Sequence, residues 1–161
     1  MPTTDLSVAA PAFINIAHRI VWATVATVDA GGRPRTRVLH PIWEFADGRL
    51  TGWVATDPSS PKARHLETNP FVSITYWDPS QDVATADCAA VWETSSDERR
   101  AGWERFAAAP EPVGYDPALM PAWTDPDAEA FGVVRLEPSS IRVFPGTMLL
   151  AGEGEVLDWH R

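Results

Sequence analysis

The sequence predicts a small antiparallel β-barrel of the mainly β, α+β class, with six strands and a few short helices. Segments rich in β-branched and aromatic residues recur at short intervals and are separated by turn-forming residues. Two of these turns, Gly31-Gly32 and Asp47-Gly48, have the composition of tight hairpins. Six short strands in an open sheet would leave exposed edges, and closure into a barrel removes them.

The first half of the chain predicts a helix followed by a three-stranded meander. Apolar residues at helical spacing predict a short helix over residues 10–20. Strands are predicted over residues 21–29, 35–45 and 50–56, with a glycine turn between each pair. A second short helix is predicted over residues 59–67, because Pro61 suits a first helical position and Asn69-Pro70 stops the helix.

The second half predicts four more extended segments, one helix and one long loop. Residues 71–77 and 82–93 read as strands, and the capping residues at 95–98 predict a helix that ends before Pro110. Strand character resumes over residues 131–136 and 140–144. Residues 110–128 contain five prolines, and a loop of this length is typical of a binding or interface segment.

Length and composition exclude several classes of protein. A chain of 161 residues predicts a single domain over residues 1–161. It has no apolar run long enough for a membrane helix and no signal-peptide pattern, so we expect a soluble, cytoplasmic protein. One cysteine allows no internal disulfide. A net charge of -9 disfavours nucleic acid as a partner.

Basic residues nevertheless gather in two neighbouring segments of this acidic chain. Arg33, Arg35 and Arg37 alternate along a predicted strand and would share one of its faces. The second segment is a predicted helix start, where backbone N–H groups and the helix dipole favour an anion; it carries Ser59, Ser60, Lys62 and Arg64. The pattern predicts a phosphate site. The alternative is that these are surface arginines offsetting neighbouring acids.

Two runs carry a resemblance to a known family. They are ATVATVDAGGRPRTRVLHPIW and DGRLTGWVATDPSSPKARHLETNPFVSITYWD. Together they resemble the N-terminal half of the pyridoxamine 5'-phosphate oxidase-like, FMN-binding split-barrel family, whose pattern combines a D-x-x-G-x-P turn, an arginine-bearing strand, a T-x-x-x-S-x-K segment and N-P-x-V-S. The resemblance covers residues 12–93 well and residues 131–144 loosely.

The resemblance implies a six-stranded split barrel, a homodimer and FMN bound at the subunit interface. In the family, the strand arginine and the helix lysine hold the FMN phosphate, and the strand backbone lies along the flavin ring. The positions of this chain that match, and are therefore predicted to bind the cofactor, are Arg37, Val38, Leu39, Thr56, Ser60, Lys62 and Arg64. Pro61 departs from the family pattern and removes one N–H donor from the predicted phosphate site.

The implied activity is that of an FMN-dependent oxidoreductase acting on an unidentified small molecule. The family also includes proteins that use the deazaflavin F420. If this chain bound F420, Arg33, Arg35 and Arg64 would bind the acidic tail of that cofactor. A third possibility is a non-catalytic module that binds flavin or haem. The substrate-binding motif of the pyridoxamine phosphate oxidases themselves has no clear copy here, and Arg142 is its nearest candidate.

Aromatic residues and histidines complete the set of candidates. Of eight tryptophans, Trp53 and Trp123 are the two expected closest to a flavin. His40 either faces the flavin edge or is a hydrogen-bonded structural histidine. No histidine has metal-ligand spacing and no nucleophile stands out, so no metal and no catalytic residue are assigned.

Overall fold

An eight-stranded antiparallel sheet forms the body of the protein. The computed structural model describes residues 3–161, so Met1 and Pro2 of the predicted domain lie outside the described residues. The strands are β1 (Ala23–Val28), β2 (Pro34–Leu39), β3 (Ile42–Ala46), β4 (Arg49–Thr56), β5 (Phe71–Trp77), β6 (Val83–Glu93), β7 (Gly132–Phe144) and β8 (Leu157–His160). The helices are α1 (Leu6–Ile20), α2 (Pro61–Thr68), α3 (Ser96–Ala108) and α4 (Gly146–Ala151).

The order of strands in the sheet explains where the barrel is split. Seven strands form a continuous path in the order β2-β1-β5-β6-β7-β4-β3, and β8 pairs with β7 off this path. The path begins at β2 and ends at β3, which are neighbours in the chain and do not pair with each other within residues 3–161. The predicted mainly β, α+β class is therefore confirmed, with eight strands in place of six.

A proline divides the second predicted strand into two. The prediction of one strand over residues 35–45 was wrong, because β2 ends at Leu39 and β3 begins at Ile42. Pro41 has no backbone N–H, and it restricts the conformation of His40 before it.

The predicted Asp47-Gly48 hairpin between β3 and β4 is confirmed. Both of its residues have positive φ, 51° and 71°, as the tightest hairpin turn requires.

The C-terminal part differs most from the prediction. The two strands predicted over residues 131–136 and 140–144 are a single strand, β7, with a register irregularity opposite Asp87 and Cys88. The irregularity accommodates Pro138, since proline is tolerated in a sheet at such positions. Neither α4 nor β8 was predicted. The four residues of β8 pair with the distal end of β7.

Helix predictions agree better with the structure. α1 starts earlier than predicted, at Leu6, because Asp5 caps it by accepting the Ser7 N–H at 2.7 Å. α2 begins at Pro61 and ends before Asn69, as predicted. The capping box formed by Ser95 and Glu98 starts α3. No helix in residues 3–161 has the length and apolar character that crossing a membrane demands.

The main core lies between α1 and the sheet and is centred on Trp43. The Phe13 ring meets Trp43 edge-on at 4.9 Å, and the Trp43 indole N–H donates to the Tyr76 hydroxyl at 2.9 Å. The His18 Nε2 atom accepts the backbone N–H of Trp43 at 3.0 Å, which joins α1 to β3. Cys88, the chain's one cysteine, is also buried here, and burial raises the pKa of its thiol.

Substitution of Gly52 by alanine tests how tightly this core is packed. A Cβ atom at Gly52 would lie 2.7 Å from the Cε3 and Cζ3 atoms of Trp43, its cross-strand partner, and Trp43 is only 2% exposed. We expect Gly52→Ala to lower the free energy of unfolding by about 1 to 3 kcal/mol, measured by urea denaturation. Thr51→Ala, at a half-buried position on the same strand, should change it by less than about 0.5 kcal/mol. Equal losses in the two variants would contradict the packing argument.

The bond between His18 and Trp43 predicts a dependence of stability on pH. Burial lowers the pKa of His18 below its ordinary value of 6.5, and the nearby His40 lowers it further. The folded state therefore binds the proton more weakly than the unfolded state, so stability is complete above about pH 6.5 and falls as the pH is lowered below it. Urea midpoints measured from pH 7.5 to 5.5 should show this decline. His18→Gln should reduce the decline, whereas His160→Gln, at an exposed residue, should leave it unchanged.

Candidate functional site

Two cationic side chains from β2 and α2 meet beside the open end of the sheet path. The Arg37 Nη1 atom donates to the carbonyl oxygen of Val25 at 3.1 Å, across the pair of strands β1 and β2. The Lys62 Nζ atom donates to the Ser60 Oγ atom at 2.9 Å, at the N-terminus of α2. Both side chains are half-buried. The pair brings together the predicted strand and helix halves of the phosphate site.

The electrostatics of the pair leave its positive charge uncompensated. Burial lowers the pKa of Arg37, and burial together with the neighbouring Arg37 charge lowers the pKa of Lys62, which Asp57 only partly offsets. Neither Arg37 nor Lys62 forms an ion pair with any carboxylate in the part of the chain that the structure describes. Two like charges held together out of water favour an anion between them.

Three further predicted residues surround the pair, and two do not. Leu39 and Thr56 line the same narrow cavity as Lys62, and the Thr56 side chain is buried. Ser60 is the N-cap residue of α2, but its side chain makes no hydrogen bond to the helix backbone, and its hydroxyl oxygen accepts the hydrogen bond from Lys62 instead. Val38 points to the other side of β2 and is 61% exposed. Arg64 is exposed, and its Nη1 atom lies 3.5 Å from the Ser59 carbonyl oxygen, away from Lys62's face of the helix.

Arg33 and Arg35 are not part of this site. Both pair with the Asp29 carboxylate, at 3.3 Å and 3.0 Å. Their side chains remain 72% and 51% exposed. The predicted stripe of three arginines therefore reduces to Arg37, and the alternative of surface arginines that offset an acid describes the other two.

A buried hydrogen bond that the sequence did not reveal fixes α2 to the sheet. The Thr27 Oγ1 atom lies 2.8 Å from the His65 Nδ1 atom, and Thr27 is 2% exposed. This bond joins β1 to the helix one turn after Lys62, and it therefore positions the lysine over the cavity. The burial pattern of β1 places Thr27 on the inward face with Ala23 and Val25, but no sequence signal pairs it with His65.

A larger cavity of about 500 Å³ opens on the other side of Leu39. The predicted loop over residues 110–128 supplies one wall of it, so the interpretation of this loop as a site-forming segment agrees with the geometry. Its centre is a short 3₁₀ turn, Pro117–Leu119. The residues lining the cavity are Ile20, Val21, Trp22, Val38, Leu39, His40, Ala55, Pro112, Gly114, Tyr115, Leu119, Met120 and Trp123.

His40 sits in an aromatic cluster at the base of this cavity. Its ring centroid lies 5.1 Å from Trp22 and 5.0 Å from Tyr115. Burial lowers the pKa of His40, although a hydrogen bond with the Val113 backbone opposes the effect. The Nε2 atom is buried and has no hydrogen-bond partner in residues 3–161. Burial thus favours the neutral form of the His40 imidazole, and its Nε2 atom accepts no hydrogen bond from the described residues.

Trp53 and Arg142, which the sequence singled out, lie outside the cavity, whereas two other tryptophans line it. Trp53 packs beneath Arg105, whose guanidinium carbon lies 3.6 Å from the ring centroid. Arg142 pairs with Asp158 of β8 at 3.5 Å. Trp123 lines the cavity, and its expected place beside a flavin stays a prediction; Trp22 also lines the cavity, without having been predicted. Trp22 is 60% exposed in the short connection between α1 and β1, at a position that the sequence placed in a strand but in no binding motif.

Solved structures with the same fold include flavin-binding and haem-binding proteins. A pyridoxamine 5'-phosphate oxidase-related, FMN binding protein from Nostoc punctiforme PCC 73102 aligns with a TM-score of 0.70 and 18% identity, over 98% of this chain and 91% of its own. Campylobacter jejuni ChuZ aligns with a TM-score of 0.69 and 14% identity, over 98% and 61%. A heme binding protein from Mycobacterium smegmatis aligns with a TM-score of 0.61 and 19% identity, over 94% and 57%. These identities establish a shared fold.

Sequence comparison identifies the family. The pyridoxine/pyridoxamine 5'-phosphate oxidase of Pseudomonas entomophila (strain L48) is 42% identical over 57 residues, which are 35% of this chain and 25% of the relative. The matched segment thus spans about a quarter of that relative's length. A family model described as pyridoxamine 5'-phosphate oxidase matches residues 11–144, most of the chain. The protein therefore belongs to the pyridoxamine 5'-phosphate oxidase-like family.

Proposed function

We propose that residues 1–161 form one FMN-binding domain of a homodimeric oxidoreductase that exchanges electrons with a small molecule. The observation that carries the proposal is the half-buried, uncompensated pair of Arg37 and Lys62. An acidic chain of net charge -9 gathers two cations with no carboxylate between them, and a phosphate monoester would neutralise both.

The donor set fits the phosphate end of FMN. The Lys62 ammonium and the Ser60 hydroxyl lie at the N-terminus of α2, where backbone N–H groups add to the positive potential, and the Arg37 guanidinium is near enough for its charge to act on Lys62. Pro61 contributes no N–H, and the Lys62 charge compensates for that loss. Thr27 and His65 hold the helix in place, so the cations need not be ordered when the anion binds.

The edge of β2 suits the remainder of the cofactor. β2 ends the strand path, so its outer edge presents unpaired backbone N–H and C=O groups next to Val38 and Leu39. A flavin ring carries both donors and acceptors, and the backbone can satisfy them without a specific side chain. When bound, the flavin supplies the hydride or electron transfer, and the chain's own residues bind it and shape the space beside it.

The charge distribution supports FMN over F420. Arg33 and Arg35, two of the three arginines predicted to bind an acidic tail, are already paired with Asp29, which leaves Arg64 as the third. A polyanionic tail would have to displace the Asp29 carboxylate, whose pKa of about 2 reflects the hydrogen bonds of the Arg33 backbone and the neighbouring charges. FMN needs no cations beyond Arg37 and Lys62.

The histidines offer little support for haem. The Nε2 atom of His18 is occupied by the Trp43 backbone, and the Nδ1 atom of His65 is occupied by Thr27. The Nε2 atom of His40 is buried among aromatic rings.

The structure offers little support for oxidation of phosphorylated vitamin B6 either, because Arg142 pairs with Asp158 and does not line the cavity.

Removing either cation tests the phosphate site. We expect Lys62→Ala and Arg37→Ala each to weaken FMN binding by about 1.5 to 3 kcal/mol, roughly a tenfold to 150-fold rise in Kd, because each would lose a charged hydrogen bond. Binding is measured by titrating cofactor-free protein with FMN and following flavin absorbance and fluorescence. Arg33→Ala is the matched control, since that arginine pairs with Asp29, and it should alter the Kd by less than about twofold. Unchanged affinity in both test variants would remove the site assignment.

Turnover separates an oxidoreductase from a carrier. The FMN-loaded protein should be reduced by a nicotinamide donor or oxidised by an added acceptor faster than free FMN under the same conditions. A bound flavin that exchanges electrons no faster than free FMN with any donor or acceptor would identify a binding module in place of an enzyme.

Assembly provides a separate test of the proposal. The chain has a mass of 17.6 kDa, and light scattering should give twice that value for the purified protein. A dimer is expected because exposed Val38 and Phe71, at 61% and 66%, leave apolar surface on the strands beside the site. A strict monomer that binds FMN with full affinity would contradict a cofactor site shared between subunits.

A further inference from the structure

The 500 Å³ cavity beside the cation pair has a lining without formal charge. None of its residues is Asp, Glu, Lys or Arg, although the chain contains 22 acidic and 13 basic residues. Its one readily titratable group is His40, and burial lowers the pKa of that imidazole, which favours its neutral form. Burial also raises the pKa of Tyr115 to about 12, so its phenol remains a neutral O–H group.

Aromatic rings dominate the walls of the cavity. Trp22 lines it from the connection after α1 and Trp123 from the loop, and Tyr115 and His40 belong to the same lining. Flat aromatic surfaces bind flat ligands best, since offset-stacked and edge-on contacts require a planar partner. Leu119 and Met120 add flexible apolar cover from the same loop.

The mouth of the cavity is unusually apolar for a surface exposed to water. Trp22 is 60% exposed and Leu119 is 70% exposed. The volume falls within the range of pockets that bind small molecules, which are largely apolar with a few polar groups for orientation. Here those groups are the Tyr115 hydroxyl and the indole N–H groups. Both the size and the chemistry fit a small ligand.

We propose that this cavity binds an uncharged, planar aromatic molecule as the substrate of the flavin site. The proposal rests on the proposed function, because Leu39 lines both this cavity and the narrow one beneath Lys62, so the two sites adjoin. A carboxylate or phosphate on the substrate would lose its hydration without gaining a cation, which strongly disfavours anionic molecules. The two cations of the proposed phosphate site, Arg37 and Lys62, do not line this cavity.

Matched probes test the chemistry of the cavity in the FMN-loaded protein. The probes are 2-naphthol, its charged analogue 2-naphthoate and its non-planar analogue decahydro-2-naphthol, each titrated by calorimetry. We expect 2-naphthol to bind at least about tenfold more tightly than 2-naphthoate, because burial of the carboxylate is unfavourable. It should bind about twofold to tenfold more tightly than the saturated alcohol, because only the planar ring stacks.

Variants locate the probe within the molecule. Trp123→Ala should weaken 2-naphthol binding by about tenfold. Trp77→Ala is the matched control, since Trp77 is 55% exposed on β5 and does not line the cavity. Leu119→Lys places a cation at the exposed mouth, and it should raise the affinity for 2-naphthoate severalfold while leaving 2-naphthol nearly unchanged. This gain in binding cannot arise from a variant that fails to fold.

Three results would overturn the proposal. The first is equal affinity for 2-naphthol and 2-naphthoate. The second is displacement of 2-naphthol by FMN from cofactor-free protein, which would make the cavity part of the cofactor site. The third is the absence of any 2-naphthol binding to the dimer, which would mean that a second copy of the chain covers the mouth. Failure of the proposed function is seen separately, in the preceding FMN titration. If FMN does not bind, the same probes titrated into cofactor-free protein still decide the selectivity of the cavity.

Discussion

Proline 41 determines how this sheet ends. Because proline donates no backbone hydrogen bond and restricts the residue before it, β2 and β3 cannot continue as one strand, and the chain changes direction between Leu39 and Ile42. The two strands then become the opposite ends of the seven-strand path. The edge of β2 stays open as a result, and His40 is placed among the rings that form the base of the large cavity.

The open edge separates two environments with opposite character. On one side of it, Arg37 and Lys62 carry positive charge that forms no ion pair within the described chain, and the narrow cavity that Lys62 lines is walled mainly by apolar residues. On the other side, the larger cavity has aromatic walls and no formal charge. Such a division suits the proposed complex, in which charge fixes the phosphate end of FMN and its reactive end faces a neutral, largely apolar space. Electrostatic interactions are stronger in that setting than in water.

Local signals in the sequence were sufficient for the elements that depend on neighbours in the chain. The Asp47-Gly48 hairpin, the Pro61 start of α2 and the capping box of α3 depend on residues within a few positions of one another, and they were predicted correctly. The family motif singled out Arg37 and Lys62, whose charges interact in the structure, and their role in binding a cofactor stays a prediction.

Features that depend on distant pairing were not predictable in this way. The bond between Thr27 and His65 joins residues 38 apart, and β8 gains its structure only by pairing with β7. Trp22 carries no motif, so its place in the cavity follows from the turn after α1 alone. Cys88 lies buried within the sheet, with its thiol pKa raised. Because the thiolate is the form that alkylating reagents attack, the native chain presents no reactive thiol, and a cysteine introduced at the mouth of the cavity would accept a thiol-directed spectroscopic label at that position alone.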